Sequence, residues 1–291
     1  MILNNSKLRL LALMIVLCAS LSGCSSMPTF PVFSSEEDEK TQTDETSPSV
    51  TVQSAENEAD TETLGALTPP PVELTPEELE EQALAAKARA LMGTMNAFKL
   101  DKEKQAKLNS EQLRDVQRAM TELANGEPDQ ALAAVQRVIN GSDFIASPNT
   151  AVWVLRGDVY RAKEQNKAAI ADYETALKLV GTNYQAHNRL GLIYRDAGEF
   201  DLAKEHYTQA IDAWPGNADS YRNRGILYDL YIGDKAAALD DYKVYKALLD
   251  FQIQSVEEAP KSLVKEQKLT SQWILDIERQ IKTLEREQTN G

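Results

Sequence analysis

Cys18, Cys24, His187 and His206 are the side chains in this chain best suited to nucleophilic, redox or soft-metal chemistry. A catalytic or metal centre needs several such groups at one place: a nucleophile beside its base, or three or four ligands at a fixed spacing. The two histidines stand on separate predicted helices of one repeat, at no ligand spacing, with no cysteine to join them, and read as structural. Cys18 sits inside an apolar run near the start. No glycine-rich phosphate loop follows a strand, and no strand pattern is present to carry one. The abundant Asp and Glu read as solvated helix faces. These residues predict no enzyme, no metal and no cofactor, and a formal charge of −14 predicts no nucleic-acid partner.

Chemistry returns when Cys24 is set in its surroundings. Lys7 and Arg9 precede an apolar stretch from Leu8 to Ala19, too short to span a bilayer, and Leu21-Ser22-Gly23-Cys24 closes it. The tetrapeptide resembles the lipobox of bacterial lipoproteins. That resemblance implies a signal peptide over 1–23, lipidation of the Cys24 thiol, and an acylated new N-terminus. Cys18 would leave with the peptide. Two or three acyl chains suffice for stable anchoring, where one binds only marginally. Ser25 rather than Asp follows the cysteine. By analogy with enterobacterial sorting this implies a protein anchored in the outer membrane and facing the periplasm, with the inner membrane as the other destination. Residues 24–73 form the predicted tether: from Ser25 on, eleven acidic residues stand against the single Lys40 among many Ser, Thr and Pro, a disordered composition. Such a coil reaches roughly 35 to 40 Å.

Between Thr150 and Lys243 one pattern is written three times. Trp153, Gly157, Tyr160, Ala169, Tyr173 and Ala176 reappear thirty-four residues later as His187, Gly191, Tyr194, Ala203, Tyr207 and Ala210, with Leu190 and Pro215 completing the middle copy. The third copy keeps that offset at Tyr221, Gly225 and Tyr228, then shifts by one at Ala238 and Tyr242. The extra residue is expected in the turn near Tyr231 to Asp234. The spacing L-G-x-x-Y, A-x-x-x-[FY], then Pro resembles the tetratricopeptide repeat, TPR. A glycine inside a helix costs roughly 1 kcal/mol. Three at a constant phase imply helix pairs that approach closely, with aromatics filling the remaining space.

The predicted fold is an all-α helix-turn-helix solenoid of three to four repeats, over 150–183, 184–217 and 218–252. A degenerate copy precedes them at 110–149, where Leu113, Val116, Met120 and Leu123 predict one helix and Ala131, Val135 and Val138 a second. Its longer connection falls at Gly141 to Pro148. An N-terminal helical segment, 74–109, opens on Thr75 as N-cap, Pro76 at the first helical position and Glu78 completing a capping box. Leu79, Leu84, Ala88 and Leu91 form its stripe, and whether it docks is left open. In 253–291, Trp273, Ile277, Ile281 and Leu284 mark a capping helix from about Ser271.

In the resembling family, ligands touch positions 2, 5, 9 and 12 of each repeat, on the concave face. Carried over, these are Val154, Asp158 and Arg161; Asn188, Leu192 and Arg195; Asp219, Arg222, Ile226 and Asp229, flanked by Asn223. Arg161, Arg195 and Arg222 with Asn188 and Asn223 make a polar, partly basic line that predicts capture of an acidic or carboxylate-bearing protein segment. The line departs from the carboxylate clamp of chaperone-binding members, so that ligand class does not transfer. Arg156 and Arg224, where the family prefers Leu, are expected to snorkel. The resemblance implies a scaffold or adaptor for protein-protein interaction in an envelope assembly serving pili, motility, secretion or outer-membrane assembly. The alternative is a regulator that recruits periplasmic hydrolases or proteases.

Overall fold

The computed structural model describes residues 74–102, 105 and 107–290; the expected signal peptide, Cys24 and the tether lie outside them. Among the described residues there are helices and turns and no strand. In chain order the helices are α1 (Pro76–Gly93), α2 (Ala97–Lys102), α3 (Ser110–Ala124), α4 (Pro128–Asn140), α5 (Ser142–Ala146), α6 (Thr150–Ala162), α7 (Asn166–Leu179), α8 (Tyr184–Asp196) and α9 (Phe200–Ala213). They are followed by α10 (Ala218–Ile226) with a π-helical continuation over Leu227–Ile232, then α11 (Lys235–Gln254) and α12 (Lys261–Asn290). The pairs α3/α4, α6/α7, α8/α9 and α10/α11 stack as an all-α helix-turn-helix solenoid of tetratricopeptide type.

An asparagine starts the first helix of every pair. The side chains of Asn109, Asn149, Asn183 and Asn217 each accept from a backbone N–H in the first turn that follows, an N-cap worth about 1 kcal/mol. The pairs then close on a glycine-tyrosine contact. A Cβ placed on Gly157 would stand 2.4 Å from the Tyr173 ring, on Gly191 2.5 Å from Tyr207, and on Gly225 2.8 Å from Tyr242. Beside each ring the second helix presents Ala169, Ala203 or Ala238, all fully buried. In the degenerate first pair Ala119 and Ala131 meet instead, and no tyrosine is needed.

The turns inside the pairs pass through a left-handed residue: Gly126, Glu164, Gly198 and Gly233. Glu164 does so without glycine's freedom, at φ 58°. The extra residue of the fourth pair is not in this turn, as expected, but upstream of it. The last turn of its first helix widens to π geometry over Leu227–Ile232, and Gly233 then turns as Gly198 does. In the longer connection of the first pair, α5 places Phe144 in the core against Trp153.

The open question about the N-terminal helix resolves as docking. Its capping box forms as predicted, and Ala88, with Leu84, Leu91 and Met92, packs on Tyr221, Val244, Tyr245 and Leu248 of the last pair. Leu79 stays exposed. From there the chain runs back along the loops between repeats. Phe98 meets the Tyr184 ring edge-on, the Thr182 hydroxyl donates to Asp101 at 2.8 Å, and Gln105 accepts from the Thr150 N–H at 2.8 Å. The N-terminal segment is therefore a strap across several repeats. At the other end α12 begins at Lys261 rather than near Ser271. Leu263 packs on the core there, but Gln267 on Asp250 and the buried Thr270 follow it on the inner face, so the apolar stripe is broken before Trp273. Trp273, Ile277 and Ile281 cap Ala238 and Tyr242, while Leu284 is exposed.

The glycine-tyrosine contact predicts a non-additive cycle. Gly191→Ala is expected to destabilise by about 1 to 3 kcal/mol through overpacking, and Tyr207→Ala by about 3 to 5 through the cavity it leaves. In the Tyr207→Ala background Gly191→Ala should stabilise by up to about 1 kcal/mol, since only its better helix propensity remains. Urea titrations of the four proteins check this; additive losses would show that the ring does not set the spacing.

Candidate functional site: the first-helix face of the repeats

The predicted basic line does not run open across three repeats. Arg161, on the last turn of α6, is exposed and makes no ion pair among the described residues. Arg195 lies over the Tyr231 ring at 5.5 Å and donates to Asp196, its exposed neighbour, at 2.8 Å. Arg222 is already held: its guanidinium meets Glu266 of α12 at 2.5 Å and Asp219 at 3.3 Å. Burial works against that charge, but the Asp219 and Glu266 carboxylates outweigh it and keep the guanidinium above its ordinary value. A carboxylate does bind there, and it is the chain's own. Ile226 packs against the α12 cluster, while Leu192 stays half-exposed.

The two asparagines are corrected outright. Asn188 is buried and donates to the Ser220 hydroxyl at 2.8 Å, tying α8 to α10, and Asn223 is buried as well. Ser220 and Asn217 of the neighbouring repeat cover Asn188. Val154 is also in the core. Asp158 accepts from the Tyr173 hydroxyl and from Arg189, each at 2.7 Å. Arg189, which the repeat pattern did not single out, is held well above its ordinary value by Asp158 despite burial.

Arg156 and Arg224 do not snorkel. Each forks onto a buried carboxylate of its partner helix, Arg156 onto Asp172 at 2.6 and 2.7 Å and Arg224 onto Asp241 at 2.8 Å twice. Burial pushes the Asp241 carboxyl up, and Arg224 pulls it back only in part. Bidentate geometry satisfies both ions where a single contact would leave a buried charge. The sequence did carry this signal: Asp172 and Asp241 both stand three residues after the small alanine of their helix.

The third repeat breaks both patterns. Tyr173 and Tyr242 donate to Asp158 and Asp229, but Leu192 and Arg195 stand at those places beside Tyr207, whose buried hydroxyl makes no hydrogen bond among the described residues. Where the flanking repeats pair Arg with Asp, this one has Leu190 and His206. The helices thereby bring together the two histidines that sequence spacing had kept apart. Their Nδ1 atoms are 3.2 Å apart, and the Nε2 of His187 lies 3.0 Å from the Gly181 carbonyl. Nε2–H therefore donates to that carbonyl, and His187 Nδ1 accepts a proton held on His206. No group of three His, Cys, Asp or Glu that could hold a metal occurs among the described residues.

Residues 116–184, 154–218 and 188–252 match the tetratricopeptide repeat family, so the repeats are tetratricopeptide repeats. No curated protein matches the sequence. Among solved structures the chain is similar to "Crystal structure of MamA protein", with 20% identity, 62% of this chain and 96% of that one covered, and a TM-score of 0.42. It is also similar to MamA 41-end from Desulfovibrio magneticus RS-1, at 15%, 60%, 98% and 0.42 in the same order. A third is the first TPR of Spaghetti (RPAP3) bound to the HSP90 peptide SRMEEVD, at 16%, 41%, 91% and 0.37.

The histidine pair makes stability depend on pH. Burial lowers both imidazoles below the ordinary value, and His187 lowers His206 further. The unfolded chain therefore takes up protons first, near pH 6.5. The contribution is fully present above that pH and is lost as pH falls through the lower folded values. The Tm of the wild type should drop across this acid window more steeply than that of His206→Gln, as differential scanning calorimetry would show; parallel curves would mean that the pair is not coupled.

Proposed function

We propose that this chain is a lipid-anchored adaptor of the bacterial envelope, held by Cys24 in the outer membrane, facing the periplasm, and presenting its repeats to acidic protein segments at the end of an acidic tether. TPR domains bind proteins or peptides, and the repeat array supports that much directly. The observation that carries the ligand class is the face of α6 and α8. There Arg161 has no ion pair among the described residues, and Arg195 is held by its exposed neighbour Asp196 and by the face of Tyr231. A guanidinium fork takes a carboxylate in two contacts and repels cations. Glu266 on Arg222 is the internal precedent for that recognition and marks where the groove stops. The lipobox resemblance of Leu21 to Cys24 supports the anchor.

Two arms test this reading. Cys24→Ser should move the protein out of the membrane fraction and abolish incorporation of labelled palmitate; a parent chain that never takes up palmitate refutes the anchor. Arg161→Glu should weaken recovery of envelope partners by about tenfold, equivalent to about 1.4 kcal/mol. Its melt should stay within about 0.5 kcal/mol, as for an exposed site. Equal recovery by wild type and variant would remove the groove from the proposal while leaving the anchor standing.

A further inference from the structure

At the turns inside the third and fourth pairs, the edge of the stack carries an apolar cluster that neither the core nor the groove uses. Leu230, Tyr231 and Ile232 follow one another and are 58%, 42% and 41% exposed, with Leu202 at 40% beside them. The Phe200 ring lies 5.5 Å from that of Tyr231, and Gly198, Phe200, Leu202 and Ile232 wall an open pocket of about 400 Å³. Scattered exposed apolar residues are ordinary, but a contiguous patch around a pocket is not.

Comparison among the repeats shows that the fold does not require it. At the same place the second pair reads Arg161-Ala162-Lys163-Glu164 and the third Arg195-Asp196-Ala197-Gly198. Both are polar or small and meet the needs of the turn. In the fourth pair the stretch becomes Leu230-Tyr231-Ile232, and the one inserted residue is absorbed there as π-helix. Such insertions widen a turn and re-aim its side chains, and they occur frequently at functional sites. Leu202 likewise replaces the Ala168 of the second pair and the Ala237 of the fourth. Two substitutions toward larger apolar side chains and one insertion thus meet at one pocket.

The rim sets the sign of the occupant. Glu199, Asp201 and Lys204 line the pocket, Asp234 follows Ile232 by two residues, and Asp196 holds the Arg195 that lies over Tyr231. The nearby cations are matched already: Lys204 on Asp201, Lys235 on Asp229, and Arg195 on Asp196 and the Tyr231 face. Among the described residues Glu199 and Asp234 make no ion pair. We infer that this edge is a second docking surface, for a protein segment that inserts one or two aliphatic or aromatic side chains between Leu202 and Ile232 and sets flanking Lys or Arg against Glu199 and Asp234. Its preference is opposite in sign to that of the arginine groove.

The test uses a short fluorescent helical probe with leucine anchors between lysines, titrated by anisotropy into the full chain carrying Cys24→Ser, which keeps lipid out of the assay. The probe should bind, and its counterpart with glutamates for lysines should bind at least about tenfold more weakly. Ile232→Asp should weaken the lysine probe by about tenfold with an unchanged melt. That substitution adds negative charge, so diffuse attraction to an acidic protein would move binding the other way. Arg161→Glu should leave affinity unchanged. No binding by the parent, equal binding by Ile232→Asp, or equal affinity for the glutamate probe overturns the proposal. So does concentration-dependent dimerisation in sedimentation velocity that Ile232→Asp abolishes, because the occupant is then a second copy of this chain.

Discussion

The structure depends on one close approach: an aromatic ring seated on a glycine where two helices of a pair cross. Tyr173 on Gly157, Tyr207 on Gly191 and Tyr242 on Gly225 leave no room for a methyl group. The glycine costs helix propensity, and the fully buried ring returns more than that through packing. Because the contact repeats at one phase, it fixes the relation of the two helices in each pair. It thereby fixes which residues of the first helix face the core, the next repeat or open space. Every other assignment follows from that register, including the burial of Asn188 one turn from the half-exposed Leu192.

With the register set, polar positions divide the repeats by role. The second and fourth carry a forked arginine-aspartate pair inside the helix pair and give their tyrosine hydroxyl a carboxylate. A buried pair contributes little net stability because desolvation offsets the attraction, but losing either partner is costly, so such pairs hold a geometry in place. The third repeat lacks both devices. It has instead a histidine pair whose imidazoles burial holds below their ordinary value, and a buried tyrosine hydroxyl with no hydrogen bond among the described residues. It is the least satisfied repeat, and it lies between the two candidate surfaces.

What the sequence revealed is what local spacing encodes. The glycine, alanine and tyrosine phases, the Thr75 capping box and the position of the degenerate first pair are all short-range patterns, and each stands where the sequence placed it. What escaped it depends on contacts between distant segments. The strap from Ala88 to Gln105 is held by single residues on successive loops, so it leaves no periodicity. The start of α12 was hidden because Gln267 and Thr270 separate the inward-facing Leu263 from the apolar stripe that begins at Trp273. Histidines nineteen positions apart gave no ligand spacing, yet antiparallel helices set them side by side. Asparagine at 149, 183 and 217 was legible at the repeat period and would have given the helix starts directly.

Helices α1 and α12 converge on the fourth repeat, and this determines where a partner could approach. Lys243 of α11 meets Glu80 of α1 at 2.6 Å and Glu278 of α12 at 3.5 Å, so the strap and the cap flank one helix. Glu266 closes the groove at Arg222 from the same side. The second and third repeats then keep the exposed first-helix face, while the turn edge of the third and fourth keeps its apolar pocket. Arg195 links the two: its guanidinium belongs to the groove line and lies over Tyr231 of the edge cluster. A carboxylate drawing Arg195 toward the groove would give up part of that cation-π contact, typically about 0.5 to 1 kcal/mol at an exposed site. The two proposed surfaces would therefore be weakly coupled, with occupancy of the groove loosening the edge by roughly that amount. The Tyr231 ring is the one side chain that the two proposed surfaces share.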